Sequence, residues 1–89
     1  VMYLYLEGDK LIPNEKVVLI IDYEQITGKS NQEFWEKEIG KKEVIDLSQK
    51  GRKSVVITDE EIYITSYGTQ TLMNRGKEFF SIVGGIKSE

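Results

Sequence analysis

Lys50-Gly51-Arg52-Lys53 places three cations within four positions, in a chain whose formal net charge is -3. Lysine and arginine on a turn neutralise phosphates and release their counterions, so phosphate-backbone binding is the chemistry this cluster can perform. Lys16, just ahead of an apolar run, and Arg75, on a helix-like segment, are further candidates, with Lys77 beyond them. The competing reading of the same turn is a solvated loop with no specific partner. Catalysis has less to work with. The chain has no cysteine and no histidine, which removes thiol nucleophiles, zinc–thiolate sites and the usual general base together. Glu36 with Glu43, or Asp59 with Glu61, offer carboxylate pairs, but all four lie in hydrophilic segments where solvated surface charge explains them. No nucleophile or metal cage is evident. The expectation is a protein that is not an enzyme, takes no cofactor and acts on no small-molecule substrate.

The elements that must position the basic turn come from a small chain. Its 89 residues, 30% of them charged and 39% hydrophobic, suit a single domain covering residues 1–89. A monomer of this size buries only about 60% of the surface its unfolded chain exposes, and oligomerisation is a common remedy. The acidic balance counts against a monomeric DNA binder unless positive charge gathers on one face. The longest apolar block, Val17–Ile21, is far short of the ~20 residues that cross a bilayer. No basic–apolar–small leader pattern opens the chain, so a cytoplasmic protein with no membrane partner is expected.

Alternating residues from Met2 to Leu6 suggest a strand, Gly8-Asp9 a turn, and Leu11-Ile12 a short strand that Pro13 ends or confines to an edge. The continuous run Val17–Ile21 reads as a strand covered on both faces. Ser30-Asn31-Gln32-Glu33 has the form of a capping box. It opens a helix anchored by Trp35 and Ile39 and stopped near Gly40. Trp35 is better explained by packing than by stacking on a base. Val44–Leu47 is extended. Val55–Thr58 and Ile62–Thr65 form a hairpin across Asp59-Glu60-Glu61, with Ile62 and Ile64 on one face and Tyr63 and Thr65 on the other. Leu72, Met73, Gly76, Phe79, Phe80 and Val83 recur at helical spacing, with Thr69 or Thr71 as the cap and Gly84-Gly85 as the end. The layout is α+β: a small, mostly antiparallel sheet with one short inserted helix and a C-terminal helix.

Two blocks, MYLYLEGDKLIPNEKVVLIIDYE and GRKSVVITDEEIYITSYGTQTLMNR, resemble the RemB-type extracellular-matrix regulators, small bacterial proteins related to the matrix-gene activator RemA. The blocks are collinear, and spacing departs from the family between Thr27 and Gln49. The resemblance implies a LytTR-like DNA-binding fold, assembly into rings and regulation of biofilm matrix genes. It also implies that the turn at Lys50-Gly51 stands where RemA-like proteins carry adjacent arginines linked to DNA binding, and that Lys16 stands at another of their basic positions. The arginine pair is not reproduced. Lysine neutralises phosphate without the bidentate fork of arginine, so weaker and less sequence-specific contacts are expected.

The first expectation is therefore a ring-like homo-oligomer that contacts DNA through Lys50, Arg52 and Lys53, with Lys16 on the same face and Arg75 nearby. Repetition of the patch around a ring supplies avidity, and Asp59, Glu60 and Glu61 face away or support subunit contacts. The alternative is an oligomeric protein-interaction module without DNA binding. Exposed aromatics at Tyr3, Tyr5, Tyr63 and Tyr67 would serve its interface.

Overall fold

The computed structural model describes residues 3–75. Its order is β1 (Tyr3–Tyr5), β2 (Leu11–Pro13), β3 (Val17–Asp22), a single-turn α1 (Tyr23–Ile26), α2 (Gln32–Lys41), β4 (Glu43–Asp46), β5 (Ser54–Thr58), β6 (Glu61–Thr65) and α3 (Thr69–Arg75). The architecture is α+β, as the sequence suggests. β1 and β2 form a two-stranded antiparallel sheet, and a second sheet runs in the order β3-β5-β6-β4. β3 and β6 lie antiparallel to β5, whereas β4 is parallel to β6. The larger sheet is therefore mixed.

The β5–β6 hairpin is the centre of the molecule because both of its faces are apolar. Val56 and Tyr63 point to one side, where Leu4, Leu6, Ile12 and Leu72 cover them. Val55, Ile57, Ile62 and Ile64 point to the other, against Ile26 and the partly buried Trp35. Strict alternation at period two produces this sorting, so the sheet has β1–β2 and α3 on one face and α1 and α2 on the other. Tyr63 is only 3% exposed, which removes it from the surface aromatics.

The run Val17–Ile21 forms an edge strand that packs apolar side chains on both faces of the sheet, though none is fully buried and Val18 is 62% exposed. A bulge between Val17 and Leu19 breaks the alternation. Val17 therefore joins Ile20 on the β1–β2 side, while Leu19 and Ile21 pack on the other.

The helix α2 also departs from expectation at both ends. No capping box forms at Ser30 and Glu33. The chain enters through a 3-10 turn over Lys29–Asn31, closed by the Asn31 amide on the Gly28 carbonyl at 3.1 Å. Asn31 then occupies the cap position with no side-chain bond to the helix, its amide donating instead to the Gln25 carbonyl at 2.9 Å. Gly40 does not end the helix; Lys42 does, with extended backbone. Its ammonium turns inward to Glu38 at 2.8 Å and to the Thr58 carbonyl at 2.9 Å. Ile39 is exposed, so Trp35 and this buried ion pair tie α2 to the sheet. In α3, the Leu72 amide bonds the Gly68 carbonyl and fixes the helix start at Thr69. Gly76, Lys77, Phe79, Phe80, Val83 and Gly84-Gly85 lie outside the described residues.

Candidate nucleic-acid interface

The basic cluster sits on an arch that the topology requires. β4 lies beside β6, but the next strand in sequence, β5, lies on the far side of β6. Residues 47–53 must therefore pass over the C-terminal end of β6. Both feet of the arch bond that end: the Leu47 amide donates to the Ile64 carbonyl at 2.7 Å, and the Lys53 amide to the Thr65 carbonyl at 2.9 Å. The Lys53 carbonyl in turn accepts from the Tyr23 amide at 2.8 Å. Gly51 at the summit has φ of 106°, a conformation that residues with a Cβ rarely adopt.

Two carboxylates hold the arch between its feet. Asp46 Oδ1 accepts from the Ser48 amide at 3.0 Å and from the Ser48 hydroxyl at 2.6 Å. Its Oδ2 takes both the Nε and a terminal nitrogen of Arg52, each at 2.9 Å. The Ser48 hydroxyl is the main cause that holds the Asp46 carboxyl below its ordinary range, against an opposing push from burial, with the Ser48 amide and Arg52 adding to the lowering. Glu7 does the second part. It follows β1 at the mouth of the turn in which Gly8 and Asp9 both have positive φ, as a two-residue hairpin turn of this hand demands. Only 5% exposed, its Oε1 accepts from the Ser66 amide at 2.7 Å and the Thr65 hydroxyl at 2.9 Å. Its Oε2 accepts from the Gln49 amide at 3.0 Å and from the Ser66 hydroxyl. Burial pushes the Glu7 carboxyl up, but the Ser66 hydroxyl and amide, the Gln49 amide and the Thr65 hydroxyl outweigh it and bring the pKa down from 4.5 to about 2. This carboxylate stitches three segments that are distant in sequence, and nothing in the residue pattern around it distinguishes it from a surface acid.

The candidate residues are distributed unevenly around this framework. Lys50, Arg52 and Lys53 are all exposed on the arch. Arg52 is committed to Asp46, and its guanidinium also lies 5.9 Å from the Tyr23 ring centre. Lys50 and Lys53 pair with no carboxylate among the described residues. Arg75 reaches the same neighbourhood from α3. Its guanidinium stacks between Tyr67 and Tyr5, 4.4 and 5.2 Å from the ring centres, and donates to the Tyr5 carbonyl at 3.2 Å. Tyr5, Tyr67, Glu7, Gln49, Ser66 and Lys50 line an open cleft of about 410 Å³. Lys50 thus lines the depression, and Arg75 stacks on two of its aromatic lining residues.

Lys16 is not on this face. It precedes Val17, which pairs with Thr58, whereas the arch joins β5 at Ser54. The two ends are separated by about 15 Å of strand. Lys16 instead borders a small depression with Asp59, Glu60 and Glu61, so the acidic turn lies at the opposite end of the sheet from the arch.

The sequence pattern of the RemA-like family, described as extracellular matrix regulatory protein A-like, matches residues 5–75. This chain belongs to the RemA-like family. The match runs from Tyr5 to Arg75, which stack on one another, and includes the whole arch. No curated protein matches the chain. The RemA-like proteins are a regulatory family, not an enzyme family. Two of the carboxylates that could have suggested catalysis have local partners: Glu61 accepts from the Thr58 hydroxyl at 3.0 Å across the hairpin turn, and Glu36 from the Gln32 side-chain amide at 3.2 Å. Among the described residues no helix is long and apolar enough to cross a membrane.

Proposed function

We propose that this RemA-like protein is a DNA-binding regulator of extracellular matrix genes, of the RemB type, acting as a ring-like homo-oligomer. The observation that carries the reading is the arch. Its backbone is tied down at Leu47, Ser48, Gln49 and Lys53, while the Lys50 and Lys53 side chains stay exposed and without a carboxylate partner among the described residues. A pre-ordered backbone spares the ordering cost that a flexible basic loop meets on binding. Lys50 and Lys53, with Arg75 stacked on Tyr5 and Tyr67, supply the phosphate contacts. Arg52 acts as a staple of the arch, and Lys16 contributes from the far end of the sheet only where DNA or a neighbouring subunit extends that way. The few contacts per subunit make repetition around a ring necessary for useful affinity. Two sheet edges left unpaired among the described residues, β3 with exposed Val18 and β4 with exposed Val44, support an assembly of identical subunits.

The second reading, a protein-interaction module without DNA binding, is favoured by the pairing of Arg52 with Asp46 and by the net charge of -3. One experiment separates them. Wild-type protein and Lys50→Ala/Lys53→Ala are titrated with a long AT-rich duplex across a salt series, with mass by light scattering. The DNA reading expects binding that weakens steeply with salt, and a slope reduced by about 2 for each engaged subunit in the variant. An intact oligomer that binds no DNA at low salt establishes the interaction module instead.

A further inference from the structure

Glu7 places a negative charge in the cleft lined by Lys50 and by Tyr67, on which Arg75 stacks. Charge alone predicts that it opposes DNA. The hydrogen bonds point the other way. Of the four donors that meet its carboxylate, three come from Thr65 and Ser66 and one is the Gln49 amide, next to Lys50. We propose that Glu7 is a positioning residue for the basic arch: an acid on the DNA-facing side that strengthens DNA binding by fixing the Gln49 amide and so the direction of Lys50. This rests on the DNA-binding reading above.

The isosteric change Glu7→Gln isolates the effect. A glutamine oxygen in place of Oε1 keeps the Ser66 amide and Thr65 hydroxyl satisfied. The amide nitrogen in place of Oε2 finds an acceptor in the Ser66 hydroxyl, which can rotate. The Gln49 N–H cannot reverse, and it then faces another donor. In this orientation the variant keeps the β6–α3 connection and releases the arch. The opposite amide flip keeps the Gln49 bond and leaves the Ser66 N–H facing a donor. The Glu7→Gln digestion is therefore read together with Glu7→Asp, which lengthens the Gln49 bond whichever way an amide turns. Ser66→Ala is the converse, since it removes one hydroxyl donor and leaves the Gln49 bond in place. Glu7→Asp withdraws the carboxylate by about 1.5 Å, one carbon–carbon bond, and gives a graded test if the glutamine variant fails to fold.

Two readouts decide the matter. Limited trypsin digestion reports arch opening through cleavage after Lys50, Arg52 and Lys53, and needs no DNA. Glu7→Gln should raise that cleavage roughly tenfold, the fold-change expected when one ordered residue is freed, with Glu7→Asp intermediate and Ser66→Ala near wild type. Affinity for the AT-rich duplex should fall by a similar factor in Glu7→Gln and hardly at all in Ser66→Ala. Unchanged cleavage in both Glu7→Gln and Glu7→Asp overturns the proposal. So does affinity that stays the same or tightens a few-fold in Glu7→Gln, as simple removal of a negative charge predicts. Wild-type protein that binds no DNA refutes the DNA reading and any role of Glu7 in it. That outcome is recognisable from the wild type alone, while the digestion still decides whether Glu7 holds the arch.

Discussion

Protonating Glu7 should destabilise the protein within a defined pH window. Its carboxyl falls from 4.5 in the unfolded chain to about 2 in the folded one. A group depressed in this way contributes fully above about pH 4.5, and the contribution disappears as pH falls through about 2. The drop sets a ceiling of about 3 kcal/mol at neutral pH. Water in the open cleft beside the carboxylate screens it, so a gap of roughly 1–2 kcal/mol between wild type and Glu7→Gln is expected. Glu38 and Asp46 are lowered too, the first chiefly by the Lys42 ammonium and the second chiefly by the Ser48 hydroxyl. Both remain in each protein, so their acid losses cancel in the difference. The assay is urea unfolding of the two proteins at intervals from pH 7 to pH 2. The gap should be constant from pH 7 to about 5 and close progressively below that. A gap that persists unchanged at pH 2, or is absent at pH 7, refutes the assignment of the four hydrogen bonds to an ionised Glu7.

Two further expectations concern the arch and the sheet edge. Gly51→Arg introduces the arginine that the family resemblance implies for this position, yet the φ of 106° there should cost about 1–2 kcal/mol. Its melting temperature should then fall by about 4–16 °C, and a variant as stable as wild type would mean that the summit of the arch has another conformation. Val18→Lys changes a side chain that is largely exposed within one subunit, so subunit stability should move by no more than about 0.5 kcal/mol. If β3 joins subunits, light scattering should show a smaller assembly, whereas an unchanged mass removes this edge from the interface.

The apolar periodicity made the central hairpin legible. The alternation puts Ile62 and Ile64 on one face and Tyr63 and Thr65 on the other, as the sheet does, but it leaves open that the Tyr63 face is buried too. The edge position of β3 was hidden because a run of five aliphatic residues reads the same whether a neighbour strand or solvent lies beside it. Likewise Ser30 and Glu33 satisfy the spacing of a capping box, but Gly28 begins a 3-10 turn one residue too early for Ser30 to serve as the cap. Within the candidate site, the exposed lysines could be read from composition. Glu7 could not, since its partners are 42 to 59 positions away. Arg52 and Lys16 look equivalent to Lys50 as letters. Only register and pairing separate them, one bound to Asp46 and the other at the opposite end of β5.

The strand order also sets a schedule for synthesis on the ribosome. β3 is made early, but among the described residues it pairs with β5 alone, and β4 with β6. From Asp22 to the end of the hairpin at Thr65 the chain grows by 43 residues (65 − 22), which takes about 2–9 s. Throughout that interval Val17–Ile21 is a nascent apolar strand with nothing to pair with. Its pairing edge exists only once the β5–β6 hairpin has emerged, which offers one edge to β3 and the other to β4. Slow codons or a pause between Asp22 and Ser54 would prolong the exposure of that strand, and yield of assembled protein would respond to translation speed even though the finished sequence is the same.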